Sequence, residues 1–178
     1  MRGSPLAALP FLLGFPIVPI LILSVTEGGW GTFFPVFVVV VAVPILDALG
    51  GVAEEARVSP DLDYNVWFKI VTWSWVPVQI GTLLWVLAAA RNAGLETFEL
   101  IGMTISMGVT SGAVGITFAH ELVHRRQPFE RALGEMLLAS VSYTHFVIEP
   151  VHGHHGHVAT PHDPATARFG ESFYRFLP

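Results

Sequence analysis

The chain has 178 residues, 52% of them hydrophobic and only 13% charged, and a mean hydropathy of +0.59. Soluble domains carry roughly 25% charged residues, so the composition is that of a membrane protein. A net charge of −5 with nine scattered basic residues argues against nucleic acid as a partner, and the absence of cysteine excludes disulfides, thiolate metal ligands and a cysteine nucleophile.

In chain order, the first apolar run, Leu6 to Thr26, is uncharged over about the 20 residues that a membrane crossing needs. It is long for a signal-peptide core and has no small-residue cleavage site. A tight turn at Glu27 to Gly29 leads into the second run, Trp30 to Leu46, which predicts a helical hairpin; Pro10, Pro16, Pro19, Pro35 and Pro44 are tolerable in membrane helices. The acidic stretch Asp47 to Tyr64 marks an extramembrane connection. The third run, Val66 to Ala90, carries Trp67, Trp73, Trp75 and Trp85, with terminal tryptophans suited to an interfacial belt and central ones to packing. After the connector RNAGLET, the fourth run, Phe98 to Ala119, holds Gly108, Ser111, Gly112 and Gly115 at small-xxx-small spacings that permit close helix packing or leave room for a substrate cavity. With a cytoplasmic N-terminus, four crossings put Arg2, Arg57, Lys69, Arg125, Arg126 and Arg131 inside and Arg91 outside, as the positive-inside rule requires. A fifth stretch, Ala132 to Ile148, would carry the later histidines away from His120 if it crossed, so a re-entrant, tilted or interfacial helix is expected there. Asp163 and Pro164 suit the cap and first position of a short amphipathic helix, Ala165 to Phe176.

The expected fold is thus all-α: a polytopic membrane helix bundle with one site, late in the chain, at the cytoplasmic face. Its strongest local signal is HELVHR, His120 to Arg125, where histidines at i and i+4 share one helix face and can share a metal, with Glu121 between them. The pattern invites comparison with the zinc-protease motif, which needs a third ligand from further on. The second signal is EPVHGHHGH, residues 149 to 157, with His152, His154, His155 and His157. Adjacent His154 and His155 point about 100° apart on a helix, so they would serve two metals, or one metal and a supporting role. A flexible metal-scavenging loop has the same composition, but two histidine groups on one membrane face are hard to explain that way. His145 precedes Glu149 by one helical turn and is a further candidate ligand or a buried, hydrogen-bonded side chain. His157 and His162 are read as solvated or supporting, and Asp47 as a helix-terminal residue or a carboxylate orienting a ligand imidazole. Imidazole ligation by itself suits iron, zinc, copper or nickel.

HELVHR, the segment YTHFVIEPVHGHHGHVATPHDPATARFGESFYRFLP from 143 to 178, and ILDALGG at 45 to 51 together resemble the integral-membrane alkane 1-monooxygenase (alkane hydroxylase) family. More broadly they resemble the histidine-box desaturases, hydroxylases and xylene monooxygenases. The resemblance implies a non-haem di-iron centre, O2 as co-substrate, electrons from rubredoxin or a related ferredoxin, and a primary alcohol formed at the terminal carbon of an alkane. It also implies a bacterial inner-membrane protein whose site faces the cytoplasm. The chemistry is consistent: an unactivated C–H bond has no acidic proton, so an oxidant generated from O2 and shielded from water is needed. Residue by residue, the resemblance carries iron ligation only to His120, His124, His154 and His155; His152 and His145 are further candidate ligands, and Glu121, Glu149, Asp163 and Asp47 candidate supporting residues. The family box Glu-His-x-x-Gly-His-His departs here at Pro150, which cannot bind a metal. A third box is expected beyond Pro178, so the chain reads as the N-terminal fragment of a hydroxylase; a truncated, inactive relative, or a half-site completed by a partner chain, would carry the same boxes. From a different class, a histidine-rich metal-binding or metal-transport membrane protein stays open.

Overall fold

The computed structural model describes residues 5–50, 66–147, 157, 160, 162, 163 and 166–176. Contacts divide the chain into two units, Met1–Ser142 and Tyr143–Pro178. No strand occurs among the described residues, so the fold is all-α as expected. Three helices in the first unit are long and apolar enough to cross a membrane: α2 (Gly29–Gly50), α3 (Val66–Asn92) and α4 (Thr97–Val123).

The first apolar run is not one continuous helix. It forms a 3-10 helix, Pro5–Gly14, and then α1, Ile17–Glu27, joined by a turn in which the Phe15 amide donates to the Leu12 carbonyl at 3.0 Å. Proline supplies the break, because Pro10 and Pro16 bring no amide hydrogen to a regular ladder and restrict the residues before them. At the far end of α1, Gly28 and Gly29 adopt positive φ (72° and 59°), which makes the expected tight turn into α2. The start of α2 is pinned to the start of α4: the Gly29 amide donates to the Glu99 carboxylate, which also accepts from the Glu96 amide at 2.6 Å and so completes a capping box. Gly102 lets the two helices touch, since a Cβ there would overlap Thr32 and Phe33.

The rest of α2 turns outward. Val40, Val43, Ile45, Leu46 and Leu49 are all exposed, as they would be in lipid rather than water. Trp75 and Leu21 are fully buried at the centre, and Trp75 stacks on Phe118 of α4 with ring centroids 5.0 Å apart. Trp67 near the start of α3 is half exposed, so the tryptophans divide between rim and core as their positions along the run suggest.

A wider π turn interrupts α4 at Thr110–Gly115, one turn before the HELVHR segment. There Gly115 faces the side chain of Gln79, which a Cβ would overlap. Gln79 is itself buried: its Oε1 accepts from Trp75 Nε1 and its Nε2 donates to Ser140 Oγ, each at 2.8 Å. Of the small residues read as packing positions, Gly115 therefore makes the close approach, whereas a Cβ on Gly108 or Gly112 would meet nothing within 4 Å.

The fifth stretch forms α5 (Pro128–Ser140), whose 13 residues span only about 20 Å, short of a hydrocarbon core of roughly 30 Å. It folds back on the end of α4 in a tight hairpin: a Cβ on Gly134 would stand 2.9 Å from the Ala119 carbonyl and from the Val123 amide. The chain then turns at Ser142, where φ is 58°.

In the second unit, Thr144–Val147 is a 3-10 turn. The amphipathic helix expected over 165–176 contracts to α6, Phe173–Phe176. Gly170, with φ 76°, breaks any longer helix, and the Ser172 carbonyl starts the short one by accepting from the Arg175 and Phe176 amides. Pro164 and Ala165 lie outside the described residues.

Candidate metal centre and its two cavities

The last turn of α4 carries the histidine pair. His120 Nε2 and His124 Nε2 stand 3.1 Å apart, with ring centroids 4.5 Å apart. Imidazole nitrogens this close share either a proton or a cation. Two neighbouring ligands of one metal, at right angles with bonds of ~2.1 Å, would be separated by about 3 Å, so the pair has the spacing of a two-ligand edge. The end of a helix favours a cation, because the last carbonyls carry the negative end of the helix dipole. Among the described residues no third histidine, aspartate or glutamate joins the pair in a metal-binding cluster.

The two imidazoles border different cavities. His120 lines an apolar groove of about 320 Å³ together with Phe11, Gly14, Thr72, Val114, Thr117 and Phe118. His124 lines a polar cavity of about 530 Å³ with Lys69, Arg125, Arg126, Gln127 and Glu130. Glu121 borders both. Arg125 holds that carboxylate, donating from Nη2 to Oε1 at 2.6 Å, and its own guanidinium lies over the Phe68 ring at 5.0 Å from the centroid. One helical turn thus separates an apolar side from a polar side, with an imidazole facing each.

The other residues singled out in the sequence are more dispersed. Asp47 is exposed near the end of α2. His145 is exposed in the 3-10 turn, its ring 4.4 Å from that of Tyr143. Asp163 is buried and accepts a hydrogen bond from the Thr166 hydroxyl. The His157 and His162 rings lie 6.4 Å apart. Glu149, Pro150, His152, His154 and His155 lie outside the described residues.

Sequence reasoning used Lys69 only for orientation and passed over Glu130. Glu130 is only 2% exposed, and its Oε1 lies 3.4 Å from Lys69 Nζ, an ion pair between α3 and α5 on the wall of the polar cavity. For Lys69 the signal was present: an ionisable residue within an apolar run is a functional or paired residue by default.

Comparison with known proteins adds what geometry leaves open. Residues 97–178 match the family model described as fatty acid desaturase. The chain is 43% identical over 156 residues to alkane 1-monooxygenase 1 of Pseudomonas aeruginosa, covering 82% of this chain and 40% of that protein. It is a relative of the alkane 1-monooxygenases. Alkane 1-monooxygenase 2 of the same organism is 38% identical over 141 residues, covering 76% of this chain and 37% of its own. The alkane 1-monooxygenase of Pseudomonas putida is 33% identical over 170 residues, covering 91% and 42%. The chain thus spans about two fifths of the length of these relatives. The likeness first read from HELVHR and the C-terminal tail is borne out, and with the spanning helices it makes the chain an integral membrane protein.

Proposed function

We propose that the whole protein carrying this chain hydroxylates the terminal carbon of an alkane, or of a similar apolar chain, using O2 and a di-iron centre. His120 and His124 would hold iron together with His154 and His155, and with His152 or His145 where Pro150 leaves a ligand short. Iron so bound supplies the O2-activating chemistry that an unreactive C–H bond demands. The observation that carries the reading is the placing of the pair: His120 lines an apolar groove, and His124 lines a polar cavity.

Each side of the turn has its own task. The groove holds an uncharged chain and keeps water from its end, because Phe11, Val114 and Phe118 offer no hydrogen bond. The polar cavity admits water and protons, and Arg125 keeps the Glu121 carboxylate between the two. Electrons would come from a rubredoxin or ferredoxin. The cluster of Lys69, Arg125, Arg126 and Arg131 supports a cytoplasmic site in a bacterial inner membrane.

The test is the purified full-length protein, assayed for iron and for conversion of an n-alkane to the primary alcohol with a reduced rubredoxin. Activity should require iron, and His120→Ala and His124→Ala should each lower iron occupancy and abolish product. Tightly held zinc without O2 consumption would overturn the proposal and favour a metal-binding or transport role.

A further inference from the structure

The 27 residues of α3 make about 40 Å of helix, against a hydrocarbon core of roughly 30 Å. Counted back from Arg91 in its last turn, the roughly 20 residues that fill the core end near Val71, which leaves Lys69 at the level of the lipid headgroups. Glu130 pairs with Lys69, and the Arg125 guanidinium lies over Phe68, so the polar cavity stands at that level too. Trp67, half exposed in the first turn of α3, suits the same interfacial layer. The cavity has a cation to spare. Lys69 is matched by Glu130 and Arg125 by Glu121, whereas Arg126 is exposed and makes no ion pair among the described residues. Gln127 beside it is also exposed and lines the same cavity, so these two residues face the open side and buried Glu130 the inner one.

Apolar surface leads away from this cavity. Phe129 meets Trp73 edge-on, with ring centroids 5.4 Å apart, and is 59% exposed. Ala132, Met136 and Ala139 follow it at intervals of three and four residues, all exposed, so they form one stripe along α5. Arg131 and Glu135, one turn apart on the adjoining strip, carry opposite charges and leave no excess there. Glu130 pairs with Lys69 and Ser140 bonds to Gln79, so from 130 to 140 α5 keeps step with α3 from 69 to 79. The stripe therefore descends about 15 Å from the headgroup level toward the hydrocarbon. A free anion would use the cavity and leave the stripe bare. A phospholipid has a phosphate for the one and acyl chains for the other.

We propose that the polar cavity and the exposed stripe of α5 form a seat for an anionic phospholipid of the adjoining leaflet. Its phosphate is held at Arg126, with Lys69 and Gln127 as further donors, and an acyl chain lies along Phe129, Ala132 and Met136. Basic pockets between the ends of transmembrane helices are suited to such headgroups. The occupant is distinct from the substrate, and its binding is measured without iron, O2 or an electron donor. The purified full-length protein is reconstituted in phosphatidylcholine vesicles containing phosphatidylglycerol, with bromine on the acyl chains of one lipid or the other, and tryptophan fluorescence is read. Trp67 and Trp73 report from the seat; Trp30→Phe removes the exposed tryptophan that packs on Phe98 at the other end of the bundle.

Brominated phosphatidylglycerol should quench at a several-fold lower mole fraction than brominated phosphatidylcholine. Arg126→Gln should bring the two lipids together, and Arg91→Gln, at the other end of α3, should change nothing. If Arg126→Gln does not accumulate in the membrane, Gln127→Glu places a carboxylate at the same opening and should give the same loss. Equal quenching by both lipids in the unaltered protein overturns the seat. So does a preference lost equally in Arg91→Gln, which would mark diffuse attraction, or one abolished by inorganic phosphate but not by chloride of equal ionic strength, which would make the occupant a free anion. Lipid preference unchanged in Arg126→Gln while an acidic rubredoxin binds more weakly assigns the cation to a protein partner and overturns it as well. A preference found in a protein that makes no alcohol leaves the seat standing and sinks the hydroxylase reading; alcohol production without any lipid preference does the reverse.

Discussion

At the scale of single residues, the region before the histidines depends on Gly115. Its neighbour Gln79 is fixed at both ends, accepting from Trp75 and donating to Ser140, so it has no free direction in which to yield. Gly115→Ala forces a methyl group into that amide, and overpacking of this kind costs about 1–3 kcal/mol. We expect a lowered midpoint of thermal unfolding in detergent. Gly108→Ala, where a Cβ meets nothing within 4 Å, should leave it unchanged or slightly raised by helix propensity. Shortening Gln79 to alanine in the Gly115→Ala background should recover part of the loss, because the two changes share one space. Additive losses in the double variant would show that the glycine serves another purpose.

At the scale of elements, the short helix α5 is held against the crossing helices by three kinds of contact: the Gly134 approach to α4, the Gln79–Ser140 hydrogen bond, and the ion pair between Lys69 and buried Glu130. The ion pair is the most exposing to break, since the Glu130 Oε1 has no hydrogen bond among the described residues beside the contact with Lys69. Lys69→Met leaves that carboxylate uncompensated, and removing one partner of a buried pair costs about 3–5 kcal/mol. Lys69→Met with Glu130→Leu should regain most of it, as an apolar pair of similar volume usually does. Unfolding midpoints of the single and double variants measure this directly; a double variant no better than the single would place the role of Glu130 elsewhere. Much at this scale was legible in the sequence. Runs 2, 3 and 4 became α2, α3 and α4 because their apolar length favours a crossing helix, and His120 and His124 meet because i, i+4 spacing puts them on one helix face. What was not legible depends on partners distant in the chain. Nothing near Gly14 announces Val114, nothing near Lys69 announces Glu130, and the π turn at 110–115 has no local sequence mark beyond small residues. The break in the first run was legible in Pro10 and Pro16, yet proline is common enough in membrane helices that it was read as tolerated.

At the scale of the whole first unit, the charges acquire a direction. Lys69 near the start of α3 pairs with Glu130 at the start of α5, and Arg125 just past the end of α4 lies over Phe68, so the beginning of α3 and the end of α4 share one level. Arg91 and the connector 93–96 are then at the opposite end of the same antiparallel pair. Three cations, Lys69, Arg125 and Arg126, line the cavity at the histidine end, with Arg131 one turn into α5, against Arg91 at the other end. Positive residues are retained on the cytoplasmic side during insertion, so this imbalance predicts an inward-facing histidine end. The absence of cysteine makes the point measurable. With a membrane-impermeant maleimide, Gln127→Cys should label in inside-out vesicles and resist in right-side-out ones, and Asn92→Cys should do the opposite. Labelling of both from the same side would break the antiparallel arrangement of α3 and α4. A clean reversal would keep that arrangement but turn the site toward the periplasm, out of reach of a cytoplasmic electron donor, so the orientation of two exposed residues bears directly on where the reducing partner must lie.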